Sequence, residues 1–213
     1  MVHAAFNDLA QRVLTLNKFE QRNQLHRFIS GLNLPDKCHV LDFGCGTGLF
    51  APMFNKLGMN YVGYDIDLDL VSYAHRLYPW ARFTTVKTDI QEFGPFNLIL
   101  MNCCTHHIPD WILETELAKL RYMLSPAGVC LLVDILKMDS GVESFIHKWF
   151  MKLEQGKYLR RQEEYISLMS RYFTIQTTST WRSHLFSVHH RYNPLYNDLI
   201  VIAARHTTVH LPA

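Results

Sequence analysis

Short apolar runs alternate, between residues 38 and 135, with stretches in which apolar residues recur every three or four positions. The runs are Cys38–Phe43, Tyr61–Tyr64, Arg82–Val86, Phe96–Met101 and Val129–Ile135. They are apolar in succession rather than at every second position, as strands covered on both faces must be. Leu49, Phe50, Met53, Phe54 and Leu57 mark one helical stripe, which stops at Gly58, a residue suited to a helix C-cap. Leu70, Val71, Ala74 and Leu77 mark a second, with Asp67 in front and Pro79 behind. A third runs from Pro109-Asp110 through Ile112, Leu113, Leu117, Leu120 and Leu124 to a Ser125-Pro126-Ala127-Gly128 turn. Strands joined by crossover helices specify an open, mostly parallel α/β sheet with right-handed connections.

The flanks follow other patterns. Phe6, Leu9, Val13, Leu14, Leu16, Phe19, Leu25, Phe28 and Ile29 fit one or two amphipathic helices that end near Gly31 and Pro35. Residues 137–172 read as a long helical insert, opened by Ser140 and Glu143 in capping-box spacing and dense in aromatics. Phe173–Trp181 and Leu199–Ala203 read as two further strands.

The first strand carries one acid, Asp42, and then breaks into glycines at alternate positions, Gly44, Gly46 and Gly48, before the first crossover helix. Three glycines in five positions let a ligand lie directly on the backbone, and the helix that follows aims free N–H groups at it. A dinucleotide fold needs glycine or alanine at the last position of G-x-G-x-x-G, where this chain has Leu49. A phosphate-binding P-loop is excluded because no Gly-Lys-Ser/Thr follows.

Val40-Leu41-Asp42-Phe43-Gly44-Cys45-Gly46-Thr47-Gly48 resembles the first motif of the class I, Rossmann-like S-adenosylmethionine-dependent methyltransferases. The likeness continues in register over about residues 38–135. Asp65 closes the second strand, Asp89-Ile90 follows the third, Met101-Asn102-Cys103 leaves the fourth, and His106-His107-Ile108-Pro109-Asp110 and Leu124-Ser125-Pro126-Ala127-Gly128 match later motifs. Asn97 and Ala127 depart from the usual Asp and Gly. The resemblance implies S-adenosylmethionine as cofactor and S-adenosylhomocysteine as product. It implies that Asp42, Gly44, Cys45, Gly46 and Gly48 cradle the cofactor, and that Asp65 bonds both ribose hydroxyls with Ile66 beside it. Asp89 and Ile90 would flank the adenine, and Asn102 and Cys103 the methionine part. It also implies a seven-stranded sheet with helices on both faces, the seventh strand inserted antiparallel. One domain over residues 1–213 would then comprise N-terminal cap helices (1–36), a cofactor-binding core (37–136), a helical cap insert (137–172) and the last strands (173–213).

Methyl transfer from a sulfonium depends mainly on placement, with a base required only where the acceptor must lose a proton. His106 and His107 are the candidate bases, since histidine titrates near neutrality. Asp134, at the end of the fifth strand, lies on the edge where open α/β folds collect ligands. Trp149, Tyr165 and Trp181 are the candidate substrate contacts, pointing to a small apolar or aromatic acceptor. Lys148, Lys152, Lys157, Arg160 and Arg161 read as the solvated face of the cap. His184, His189 and His190 lack a ligand spacing that would hold a metal.

At 213 residues and 48% apolar content the chain has the size and composition of a globular enzyme, and a formal charge of +2 gives no reason to expect nucleic acid or a membrane as partner. Five cysteines without a C-x-x-C pair read as reduced, buried thiols, and with no leader-like stretch the expected location is the cytoplasm. Other functions compatible with these motifs are a cofactor-binding relative that does not methylate, or a methyltransferase acting on RNA or protein. The second lacks the Asn/Asp-Pro-Pro-aromatic signature, having Asn102-Cys103-Cys104-Thr105 instead.

Overall fold

The computed structural model describes residues 21–137, 157–184 and 196–206. Residues 21–30 form α1. There follow β1 (His39–Phe43), α2 (Ala51–Lys56), β2 (Asn60–Tyr64), α3 (Leu68–Leu77), β3 (Arg82–Thr84), α4 (Lys87–Phe93) and β4 (Phe96–Asn102). A 3-10 turn at Thr105–His107 leads into α5 (Asp110–Met123) and β5 (Leu124–Ile135), then α6 (Gln162–Ser170), β6 (Phe173–His184) and β7 (Tyr196–His206).

The strands make one sheet in the order β3-β2-β1-β4-β5-β7-β6, the first five parallel and β7 antiparallel to both of its neighbours. This is the open, mostly parallel seven-stranded sheet expected. Successive side chains leave a strand on opposite faces, so one apolar run supplies two cores. Val40, Leu98, Leu100, Val129, Leu131, Val133, Val201 and Ala203 meet α1, α2 and α3 on one face. Leu41, Phe43, Ile99, Met101, Cys130, Leu132, Ile200 and Ile202 meet α4, α5 and α6 on the other.

Local chemistry sets the ends. The Asp67 carboxylate accepts the Asp69 and Leu70 N–H groups at 2.9 and 3.1 Å and so caps α3. The Ser125–Gly128 turn is taken into β5 as an irregularity: Phe96 pairs with Leu124, yet Leu98 pairs with Val129. The Arg205 guanidinium fastens the extra residues by donating to the Ala127 carbonyl.

Two expectations are corrected. The chain between β3 and β4 contains a helix, α4, that the apolar pattern did not announce, because its buried side is a single residue, Ile90. The described part of the 137–172 insert is not a helical cap. Residues 157–161 are extended, with an isolated parallel bridge from Arg160 to Leu136, and α6 is a crossover helix packed on the sheet. The expected helix start at Ser140 and Glu143 lies outside the described residues.

Candidate cofactor and methyl-transfer site

The glycine loop leaves β1 with Gly44, Gly46 and Gly48 all at positive φ (78°, 51° and 72°). Gly44 and Cys45 both donate their N–H groups to the Tyr64 carbonyl, at 2.8 and 3.0 Å, which ties the loop to the end of β2. The loop glycines have different reasons to be glycine. A Cβ on Gly44 would lie 2.5 Å from Cys104 Cβ, and one on Gly48 would lie 2.6 Å from the Phe83 ring, so these two are packed against protein. Among the described residues a Cβ on Gly46 would meet nothing within 4 Å, so its open side is where a ligand can lie on the main chain. Gly44→Ala is therefore expected to cost about 1–2 kcal/mol for the left-handed backbone and about 1–3 kcal/mol for the clash. A denaturant midpoint equal to that of the wild type would refute this.

Asp65 joins that open side. One carboxylate oxygen accepts the Gly46 N–H at 2.8 Å and the other accepts the Asp67 N–H at 3.0 Å, while the residue keeps part of its surface in solvent. Ile66 follows it, 81% exposed, an unusual state for an isoleucine beside a glycine loop. Asp89 accepts the Thr84 hydroxyl at 2.7 Å and remains partly accessible. Ile90 corrects its expected role at the adenine: it is 1% exposed and belongs to the core between α4 and the sheet. A side chain lining an open ligand site would show surface, as Ile66 does and Ile90 does not.

Asp42 sits beneath the loop, buried, with one oxygen accepting the Tyr61 hydroxyl at 2.8 Å. Burial, then the neighbouring Asp42 charge, pushes the Tyr61 hydroxyl well above its ordinary pKa, so it stays a proton donor to Asp42. The Cys45 thiol is likewise pushed up by burial and by Asp42 and Asp65, which leaves it protonated and unreactive.

At the end of β4, Asn102 Oδ1 accepts the Gln21 amide at 2.8 Å, and the same amide nitrogen lies 3.3 Å from Cys103 Sγ. Asn102 Nδ2 is buried and has no acceptor among the described residues. A buried donor without an acceptor costs about 1–3 kcal/mol, and the carboxylate of a bound amino-acid moiety would relieve it. The donor set therefore fits S-adenosylmethionine: an open glycine, a carboxylate at the end of β2, an exposed apolar residue and an unmet donor below. Gln21 was not singled out in the sequence, where it is one polar residue of an amphipathic stripe.

The two candidate bases part company. His106 is fully buried, with Nδ1 at 2.5 Å from Asp134 Oδ1. His107 is exposed and its ring centre lies 4.1 Å from that of His106. Asp134 is fully buried and also accepts the Thr105 N–H (2.8 Å), the Thr105 hydroxyl, the His106 N–H (3.1 Å) and the Ile135 N–H (2.8 Å). Burial alone would raise its pKa, but the His106 charge and these hydrogen bonds outweigh burial and hold it below the ordinary carboxylate value.

The predicted substrate contacts do not converge. Tyr165 is corrected: it is fully buried in the core beneath α6, with its hydroxyl 3.5 Å from the Ile135 carbonyl. Trp181 is half-buried on the opposite face, edge-on to Phe28 with ring centres 5.5 Å apart. Trp149 lies outside the described residues. Arg160 is also corrected, from solvated face to buried residue at 4% exposure.

The methyltransferase-domain family model matches residues 1–174, and the chain belongs to that family. Its open seven-stranded sheet is the fold of solved methyltransferase structures. It is 25% identical over 111 residues to malonyl-[acyl-carrier protein] O-methyltransferase of Pectobacterium atrosepticum, a match that spans 51% of this chain and only 43% of that relative. A Bacillus halodurans protein assigned as a methyltransferase shares the fold with a TM-score of 0.65 at 13% identity, covering 86% of this chain and 98% of that one. A TehB-like SAM-dependent methyltransferase of Corynebacterium glutamicum superposes with a TM-score of 0.58 at 17% identity, over 85% and 86% of the two chains. Among the described residues no helix is long and apolar enough to cross a membrane.

Proposed function

We propose that this chain methylates an oxygen, nitrogen or carbon of a small molecule of apolar or aromatic character, with His107 as the base where the acceptor carries a proton. S-adenosylmethionine supplies an electrophilic methyl group when bound. Gly46, Asp65, Ile66 and Asn102 would hold it along the ends of β1, β2 and β4. The observation that carries the reading of the base is the contrast between the two histidines: His107 reaches solvent on the loop after β4, while His106 is committed to Asp134. His106 then orients its neighbour instead of meeting the acceptor.

A second reading comes from the Pectobacterium relative, whose acceptor is a carboxyl group by its name. A carboxylate already carries its electron pair and needs no base, so pH separates the two. The test is transfer of a labelled methyl group from S-adenosylmethionine to panels of phenols, amines and carboxylic acids. With a proton-bearing acceptor, His107→Ala is expected to lower kcat by about 10²–10⁴-fold, and wild type but not the variant is expected to lose rate on the acid side, since a base must be unprotonated to act. A carboxylic acid methylated at equal rates by wild type and variant would establish the second reading. Turnover of none of the panels, with RNA or protein labelled instead, would overturn the small-molecule assignment.

A further inference from the structure

The loop between β4 and α5 is gripped from two sides. From within, Asp134 of β5 accepts from the main chain and side chains of Thr105 and His106. From without, the extended segment 157–160 lies along it. The His106 carbonyl accepts the Lys157 and Tyr158 N–H groups at 3.1 and 2.9 Å. The Arg160 guanidinium donates through Nη1 to the Thr105 carbonyl (2.9 Å) and the Tyr158 carbonyl (3.0 Å), and through Nη2 to the Ile108 carbonyl (2.7 Å). Its Nε and Nη2 also donate to Asp110 Oδ1 at 2.8 and 2.5 Å, and its guanidinium carbon lies 5.7 Å from the centre of the Tyr165 ring.

Burying a guanidinium is a poor way to gain stability, because desolvation offsets most of the attraction and an apolar side chain of similar size often does as well. What the planar fork does provide is direction: it fixes several acceptors at once in a geometry that the single ammonium of lysine does not reproduce. Two of those acceptors, the Thr105 and Ile108 carbonyls, flank His106 and His107. Among the described residues, the groups that Arg160 bonds belong neither to the glycine loop nor to the end of β2.

We propose that Arg160 is a positioning residue for methyl transfer: by fastening segment 157–160 to the loop after β4 it holds His107 at the acceptor end of the site, without contributing to cofactor affinity. This rests on the reading of His107 as the acceptor-facing base. Misplacing a reacting group by about 1 Å costs on the order of 10²-fold in rate, so the loop needs a rigid brace more than it needs stability.

The test compares wild type, Arg160→Ala and Arg160→Lys, each saturated with S-adenosylhomocysteine. Proton NMR follows the imidazole signals, assigned with His106→Gln and His107→Gln, and calorimetry measures cofactor affinity. Arg160→Ala is expected to shift both histidine signals, and guanidinium ion at non-denaturing concentration to return them. Arg160→Lys is expected to show the shifted signals despite its charge. Cofactor affinity is expected to stay within about threefold of wild type in both variants. Once an acceptor is known, kcat should fall on the order of 10²-fold with KM for the cofactor unchanged. Wild-type histidine signals in either variant would overturn the proposal, as would loss of cofactor affinity in step with the shifts. Should Arg160→Ala fail to fold, Arg160→Lys decides alone by the same criteria. A wild-type chain that binds no cofactor would sink the methyltransferase reading, whereas histidine signals indifferent to Arg160 in a chain that binds it would sink only this one.

Discussion

Asp65→Ala is expected to weaken S-adenosylmethionine binding by on the order of 10²-fold or more. Each hydrogen bond to a charged group contributes about 1.5–3 kcal/mol, and the variant would forgo the two that a carboxylate in the role proposed for Asp65 would accept from a ribose diol. The substitution also removes the acceptor of the Gly46 and Asp67 N–H groups, so the loop loses the anchor that presents its open glycine. Asp65→Asn retains one acceptor oxygen and should fall between. Calorimetric titration with S-adenosylmethionine and S-adenosylhomocysteine, with NADH as a control, measures the effect. Equal affinity in Asp65→Ala would remove Asp65 from the site, and binding of NADH would overturn the identity of the nucleotide.

The largest expected loss of stability is in Asp134→Ala. The variant leaves the buried His106 imidazole and the Thr105 hydroxyl without their carboxylate, a class of change that costs about 3–5 kcal/mol. The sign of the pH dependence follows from the depressed carboxyl pKa. A group whose pKa is lower folded than unfolded contributes its stability at pH values above the unfolded value, about 3.9 for aspartate. That contribution is lost as the pH falls through the lower, folded value. Wild type should therefore lose stability steeply below about pH 4, and Asp134→Ala should lose a smaller amount over the same range. Asp134→Asn keeps hydrogen-bonding capacity without the charge and should show the same flattened acid limb with a smaller loss at neutral pH. Denaturant unfolding at several pH values reads both effects. A variant within about 0.5 kcal/mol of wild type and with its acid limb intact would show that Asp134 is not an ionised partner of His106.

The sheet was legible because its determinants are local. Apolar runs that end in Gly or Asp stop where the strands stop, within a residue or two, and the order of the glycine loop, Asp65 and Asn102 along the chain is the order in which β1, β2 and β4 deliver them to one edge. Side-chain direction was less legible. An apolar residue in a crossover region declares that it is buried, not in which layer: Ile90 and Tyr165 carry the right chemistry for a pocket and lie in the core on the helical face of α4, α5 and α6. Arg160 shows the converse. Among Lys157 and Arg161 it reads as one more surface cation, and only the carbonyls of a loop some fifty residues earlier reveal that it is enclosed. Pairings of that span leave no periodic trace in either segment. His106 and His107 are equivalent on paper, and the sheet separates them by putting Asp134 next to one of them.

The position of β7 has a kinetic consequence. It lies between β5 and β6 in the sheet but follows both in the chain. Until residues 199–205 arrive, the free edge of β5, from Val129 to Ile135, has no permanent neighbour, and β6 has no strand partner among the described residues. During synthesis or refolding the growing sheet thus exposes a long apolar strand edge, the kind of surface that recruits other chains. The closing step pairs segments from well-separated parts of the sequence and must await loop closure, which makes it slow. Conditions that delay the last strand should thus favour aggregation over misfolding within the chain, and a covering chaperone would act at the β5 edge.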